Sequence, residues 1–247
     1  MKNNYKFVIA YDGTRYFGWQ RLKNKETIQG KLETVLGRMC NCPVEINGAG
    51  RTDAGVHAKA MVANALFDTL LNCDEIRDYM NHYLPDDICI REVSLVPMRF
   101  HARYQAVGKT YCYTCYVGNT KPVFDRKYVT ILEREPDLAL MQQAVEFLEG
   151  EHDFAAFCGN PHMKKSTVRC IKEIQIVQSE DYLQFYFRGD GFLQNMVRIL
   201  VGTLLEVGYK KIPVAQVQTI LEQKNRKLAG PKMPPEGLCL EQVEYLL

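Results

Sequence analysis

The sequence has almost no surplus of charge, no long apolar run and no orderly set of cysteines, and each absence removes a class of protein. Lys and Arg number 31 against 29 Asp and Glu, a formal net charge of +2. Bulk charge therefore does not announce a nucleic-acid partner, and any such binding has to come from local clusters of cations. The longest apolar run, Ile199 to Val207, is broken by Thr203 and Glu206 and is too short to span a bilayer. Met1-Lys2-Asn3-Asn4-Tyr5 runs directly into a strand pattern, so nothing at the N-terminus reads as a secretion signal. The nine cysteines are an odd number without framework spacing, which points to a reducing compartment rather than a disulfide scaffold. Cys112 and Cys115 do form a C-x-x-C pair, but on an alternating Tyr-rich strand residues three apart point to opposite faces. No second Cys pair or ordered His pair completes a metal site with them. These features together predict a soluble, cytoplasmic protein with no membrane association and no metal.

What is present is ordinary globular composition, 47% hydrophobic and 24% charged over 247 residues, enough for one large domain or two small ones with a substantial core. Alternation predicts a strand over residues 5 to 11, closed by the turn pair Asp12-Gly13. Thr27 is placed to cap a helix carrying Ile28, Leu32, Val35, Leu36 and Met39 on one face. Asp74 is read as the cap of a second helix, bearing Ile76, Tyr79, Met80 and Tyr83 and ended before Pro85. Ile88 to Leu95 is again strand-like. The second half repeats the idea with a strand from Lys109 to Val117 and a helix capped by Asp137. Two strand runs follow, Val168 to Gln178 and Tyr182 to Arg188, joined at Ser179-Glu180-Asp181. A helix from about Phe192 to Val207, another opened by Pro213, and a last strand from Leu238 to Leu246 complete the pattern. No sequence repeat, low-complexity tract or long linker interrupts it. The order predicts two α+β halves, residues 1–105 and 106–247, facing each other across a cleft.

The stretch from Asn47 to Ala58, Asn-Gly-Ala-Gly-Arg-Thr-Asp-Ala-Gly-Val-His-Ala, carries the chemistry. Gly48, Gly50 and Gly55 give the backbone freedom or close approach. Between them sit one cation, Arg51, one hydroxyl, Thr52, and one carboxylate, Asp53. The strand-like Val44 to Ile46 precedes the stretch, and alternating Met61, Ala63, Ala65 and Phe67 follow it, so a loop is mounted between two strands. Taken alone, Asp53 reads first as a turn residue bonding to nearby backbone amides.

The string Arg51-Thr52-Asp53-Ala54-Gly55-Val56-His57-Ala58 closely resembles the active-site motif of the TruA family of tRNA pseudouridine synthases. Further stretches carry the same resemblance in order over nearly the whole chain: Tyr11 to Gln20, Thr27-Ile28-Gln29-Gly30, Leu84 to Ile88, Phe100 to Tyr104, Lys109 to Tyr113, Gly191 to Arg198 with Val201-Gly202, and Gly237-Leu238. The resemblance implies the pseudouridine synthase fold, two ferredoxin-like halves with a mixed or antiparallel sheet, helices on one side and a central basic cleft. It implies Asp53 as catalytic nucleophile, Arg198 as the partner of that carboxylate, and Tyr111 stacking on the base or acting as general base. Leu238 would line the base pocket, and Arg51 would fill the vacated stack or hold a phosphate. It further implies tRNA as substrate, at uridines 38 to 40 of the anticodon arm, and a homodimer. Three departures from the family pattern stand out: Ala60-Met61 where Gly-Gln is usual, Met233-Pro234-Pro235-Glu236 where Ala-Pro-Ala is usual, and the idiosyncratic Cys158-Gly159-Asn160-Pro161-His162. They leave open a paralogue with another target uridine, in tRNA or rRNA.

Uridine isomerisation involves no redox change and no lost group, so neither cofactor nor metal is required. It asks for a carboxylate, a cation that keeps it ionised, and an apolar or aromatic pocket that holds the detached base. Arg suits the cation better than Lys in a partly dry cleft. His57 is read as a packing or backbone-bonding residue, and Asp12 as a turn residue rather than the second acid of a glycoside hydrolase. Four groups of cations can grip RNA: Arg99, Arg103 and Lys109; Lys121, Arg126 and Lys127; Lys164, Lys165 and Arg169; Lys224, Arg226 and Lys227. The aromatics Tyr16, Phe17, Trp19 and Tyr104 beside cations read mainly as core, with base stacking as the alternative. A non-catalytic tRNA-folding chaperone is the rival reading.

Overall fold

The computed structural model describes residues 1–160 and 162–246; of the idiosyncratic stretch, Pro161 lies outside them. The architecture is α+β, and the chain divides into two compact units. The first comprises Met1–Val107 and Cys239–Leu247, the second Gly108–Leu238. The C-terminal strand therefore completes the first unit, which is built from two separate chain segments. Among the described residues no helix is long and apolar enough to cross a membrane.

In the first unit, β1 (Asn3–Tyr11) lies antiparallel between β3 (His57–Phe67) and β4 (Ile88–Val96). Its odd-numbered residues Tyr5, Phe7, Ile9 and Tyr11 are buried, as the alternation predicts. The strand β2 (Ile46–Gly48) pairs antiparallel with residues 63–65 of β3, and β10 (Leu238–Tyr245) pairs parallel with His57 and Ala58 through Cys239 and Leu240. Helix α1 (Ile28–Cys40) is capped by Thr27, whose side chain accepts from the Gly30 amide, and it buries Ile28, Leu32, Val35 and Leu36. Met39, expected on that face, is half-exposed.

Helix α2 (Cys73–Tyr83) corrects one expectation. Its N-cap is Asn72, not Asp74. Asn72 accepts from the Glu75 amide at 3.0 Å while the Glu75 carboxylate accepts from the Asn72 amide at 2.8 Å. This reciprocal box satisfies two orphan donors of the first turn, where Asp74 as cap would satisfy one. Asp74 remains in the first turn, which suits its charge to the helix dipole. Tyr83, placed on the apolar face by spacing, is exposed.

In the second unit, β5 (Ala106–Tyr116) pairs antiparallel with β9 (Tyr182–Gly189), β9 with β8 (Val168–Ser179), and β8 with β7 (Gly150–Asp153). A two-residue β6 (Thr130–Ile131) runs parallel to the end of β5. The β8–β9 turn passes through Glu180 at φ 51°, a left-handed turn position. Asp137 caps α3 (Leu138–Val145) as expected, accepting from the Leu140 amide. Helix α4 (Met196–Gly208) is buried on nearly every face, only Glu206 being partly exposed. An apolar helix buried all round belongs in a core rather than on a surface. Gly202 and Gly230 let the 230–233 segment lie directly on α4: a Cβ at Gly230 would stand 2.6 Å from the Thr203 Cα. Pro213 does not open the last helix, α5 (Gln216–Gln223), directly; its carbonyl accepts from the Gln216 amide and turns the chain into it.

Candidate active-site residues

In the first unit the motif loop is held by the segment that follows β1. Trp19 is buried, and its indole lies 2.6 Å from where a Cβ on Gly48 would stand, so only glycine fits there. The Trp19 amide donates to the Thr52 carbonyl at 3.1 Å, and the Gly55 amide donates to the Tyr16 carbonyl at 3.2 Å. Thr52 Oγ1 lies 2.9 Å from the Tyr11 hydroxyl, a buried pair spanning 41 residues of sequence. Gly18, at φ 86°, brings the backbone against the Thr52 carbonyl, where a Cβ would come within 2.5 Å. Thr52 is thus fixed through both its side chain and its carbonyl, one residue ahead of Asp53.

Asp53 is half-buried and Arg51 exposed. The Asp53 carbonyl accepts from Val56 at 3.2 Å, and Gly55 takes φ 80°. The turn that the sequence suggested therefore exists, made by the Asp53 backbone. His57 is buried, and its Nδ1 accepts from the Gly13 amide at 3.1 Å. That bond ties the 12–14 turn to the start of β3, in line with a backbone-bonding role. Asp12 Oδ1 accepts from the Thr14 amide at 2.9 Å, as a turn carboxylate does. Next to this turn, Tyr16 donates to Asp87 at 2.6 Å, and Arg15 pairs with the same carboxylate. Burial first, and then the bond to Asp87, push the Tyr16 phenol up to about 12. Of the aromatics flagged in the sequence, Tyr16 and Trp19 are core, whereas Phe17 and Tyr104 are exposed.

In the second unit Tyr111 lies opposite Phe187 of β9 and is buried, with its ring edge-on to Phe192 at 5.2 Å. Arg198 is only 7% exposed although it carries a charge, so its guanidinium needs partners. Its Nε donates to the Met233 carbonyl at 2.6 Å and its Nη1 to Asn195 Oδ1 at 3.0 Å. Leu238 is buried, and its amide donates to the Pro235 carbonyl at 2.9 Å. Between Arg198 and Leu238 the 233–237 strap is fastened to β5. Tyr113 donates to the Pro234 carbonyl at 2.8 Å and lies 2.6 Å from Thr130 Oγ1, and the Thr114 amide donates to the Gly237 carbonyl at 2.8 Å. A Cβ on Gly237 would meet the Tyr113 ring at 2.7 Å. Burial raises the pKa of the Tyr113 phenol far above its ordinary value, so it stays protonated as a donor.

The departure at Met233-Pro234-Pro235-Glu236 falls on this strap. Arg198, Tyr113 and Leu238 all bond to its backbone carbonyls, which any residue supplies. At the other departure, Met61 is fully buried in β3 opposite Ile9 and Ala60 is half-exposed. Cys112 and Cys115 are buried thiols, and burial raises the Cys115 pKa strongly. Sequence reasoning missed Asn195, the Tyr11–Thr52 pair and the Tyr113 anchor. Of these, only Asn195 left a local signal: a polar residue between the apolar Leu193 and Met196, three before the arginine.

Comparison with known proteins gives one consistent answer. The family model described as tRNA pseudouridine synthase matches residues 7–105 and 144–246. A protein of Bacillus sp. (strain KSM-64) named tRNA pseudouridine synthase A is 47% identical over 244 residues, covering 98% of this chain and 100% of that one. Proteins of the same name from Clostridium acetobutylicum and Clostridium kluyveri are 43% and 41% identical over 242 residues, 98% of this chain and 99% of each. On both grounds the chain belongs to the tRNA pseudouridine synthase family.

Proposed function

We propose that the protein isomerises uridine to pseudouridine in tRNA, in the anticodon stem-loop, and that Asp53 is its nucleophilic carboxylate. The reaction breaks the N1–C1′ bond, turns the base and joins C5 to C1′. The proton lost from C5 is balanced by the one gained at N1. Arg198 keeps Asp53 ionised, since an opposite charge favours the charged form of an acid. Tyr111 stacks on the turned base or takes its C5 proton, and Leu238 forms the apolar wall of the pocket. Arg51, exposed beside Asp53, holds a phosphate or fills the gap left when the nucleotide is turned out, a step that costs a few kcal/mol. The enzyme works without metal or cofactor, as a homodimer, in the cytoplasm.

The observation that carries this reading is the pinning of Thr52, which leaves Asp53 on a loop with little freedom to wander. A reactive group gains most from such restraint. The test is release of tritium from tRNA carrying C5-labelled uridine. Asp53→Asn keeps the shape and removes the charge, so release should vanish while tRNA affinity stays within roughly severalfold of the parent. Binding by the parent protein without any release would instead support a tRNA-folding chaperone. Mapping the pseudouridines missing from a deletion strain identifies the target position, and a defect confined to rRNA would exclude the anticodon arm.

A further inference from the structure

We propose that Asn195 is a positioning residue that sets the orientation of the Arg198 guanidinium, an inference that rests on the role given to Arg198 above. Asn195 occupies the N-cap position of α4, yet its side chain makes no capping bond. An Asn there ordinarily accepts from an amide of the first turn. Here its Oδ1 instead accepts from Arg198 Nη1 at 3.0 Å. The backbone at Asn195 is left-handed, φ 60° and ψ 7°, which Asn tolerates better than most residues.

The bond to Asn195 is among those that fix the guanidinium. Another runs from Nε to the Met233 carbonyl at 2.6 Å. Two bonds on different nitrogens define the plane of the group, which a single bond leaves able to turn. The Met233 bond is a backbone contact on a strap fastened at Pro234 and Gly237. Asn195 is the adjustable member of the pair, because its amide side chain is all that carries the second bond.

The amide is itself supported from behind by the idiosyncratic Cys158-Gly159-Asn160 stretch. The Gly159 amide donates to the Gln194 carbonyl at 2.8 Å. A Cβ on Gly159 would come within 3.0 Å of the Asn195 Cβ and closer still to its Nδ2. Gly159 is not at positive φ, so its lack of a side chain serves the neighbour and not its own backbone. Gly159, Asn195 and Arg198 thus form a stack in which each member fixes the next.

The experiment separates orientation from folding. Asn195→Gly removes the amide yet relaxes the left-handed position, so a role confined to backbone conformation would leave turnover unchanged. With this restraint on the guanidinium removed, the expected result is a fall in kcat of about tenfold to a hundredfold, with the KM for tRNA within about twofold of the parent. Gly159→Ala should lower kcat in the same direction without touching Arg198, by displacing the Asn195 amide. In an Arg198→Ala background, Asn195→Gly should add nothing to the loss, measured by single-turnover tritium release, because the two residues act as one unit. Parental kcat in Asn195→Gly, or a rise in KM that accounts for the whole effect, would overturn the proposal. If Arg198→Ala itself left kcat unchanged, the reading of Arg198 would fail first, and this inference with it.

Discussion

Thr52 illustrates how one residue can transmit the order of a core to its neighbour, here Asp53. Its hydroxyl is engaged by Tyr11 at the end of β1 and its carbonyl by Trp19 in the segment that follows, and both partners are buried. Tyr11→Phe deletes one end of the hydroxyl pair while keeping the ring. It should cost about 1–2 kcal/mol in urea unfolding, because a buried hydroxyl loses its partner. It should also lower kcat severalfold with little change in tRNA affinity; a kcat equal to the parent's would show that Asp53 is held without Thr52. Tyr16, two residues before Gly18, gives a pH test. Its phenol is raised from 10.0 to about 12 in the folded protein, so the folded state disfavours the phenolate. Stability from this group is complete below the unfolded value and is lost as pH rises from 10 towards 12. Tyr16→Phe should therefore flatten the alkaline decline, by at most about 1 kcal/mol when urea midpoints near pH 9 and pH 11 are compared. The motif around Asp53 is legible because it is contiguous in sequence. The Tyr11–Thr52 pair is not, since nothing local marks two residues 41 apart as partners.

At the level of elements, periodicity located the long strands and helices because each has one face to bury. It failed where that signal is short or polar. β6 has two residues, and β7 reads Gly-Glu-His-Asp, with no apolar alternation at all. Helix α4 starts later than the apolar pattern predicts for a related reason. Phe192 and Leu193 continue the apolar pattern, but the left-handed Asn195 holds the helix back to Met196. The cap of α2 differs from the expected one because Asp74 is a good capping residue in isolation, whereas the Asn72–Glu75 box depends on a pair. Asn72→Ala should therefore destabilise the protein by about 1 kcal/mol, and Asp74→Ala by less than half of that. Equal losses in chemical denaturation would return the cap to Asp74.

For the molecule as a whole, the sequence placed both ends of the chain in strands but did not reveal that the last one returns to the first unit. Parallel pairing of Cys239 and Leu240 with His57 and Ala58 depends on residues about 180 positions apart, and composition does not encode such a partnership. The Tyr245 hydroxyl reinforces it by donating to the Ala102 carbonyl at 2.6 Å. Charge is the other property that only the folded molecule organises. Most members of the four cationic groups are exposed, Arg99, Arg103, Lys121, Arg126, Lys127, Lys164, Lys165 and Lys227 among them. Others are already engaged: Lys224 pairs with Asp153 at 2.8 Å, and Arg226 donates to the Gly230 carbonyl at 3.0 Å. A near-neutral total thus coexists with many cations presented to solvent. If they grip tRNA, each phosphate contact adds about 0.7–0.9 to the slope of log affinity against log salt. Two contacts alone would weaken binding roughly tenfold when salt rises from about 50 to 200 mM, and more contacts would steepen the fall. Filter binding of tRNA across that range measures the slope directly. Paired Lys121→Gln and Lys127→Gln changes should reduce it by up to about two while leaving kcat at saturating tRNA intact. A slope near zero in the parent protein would show that shape and base contacts, not surface cations, hold the RNA.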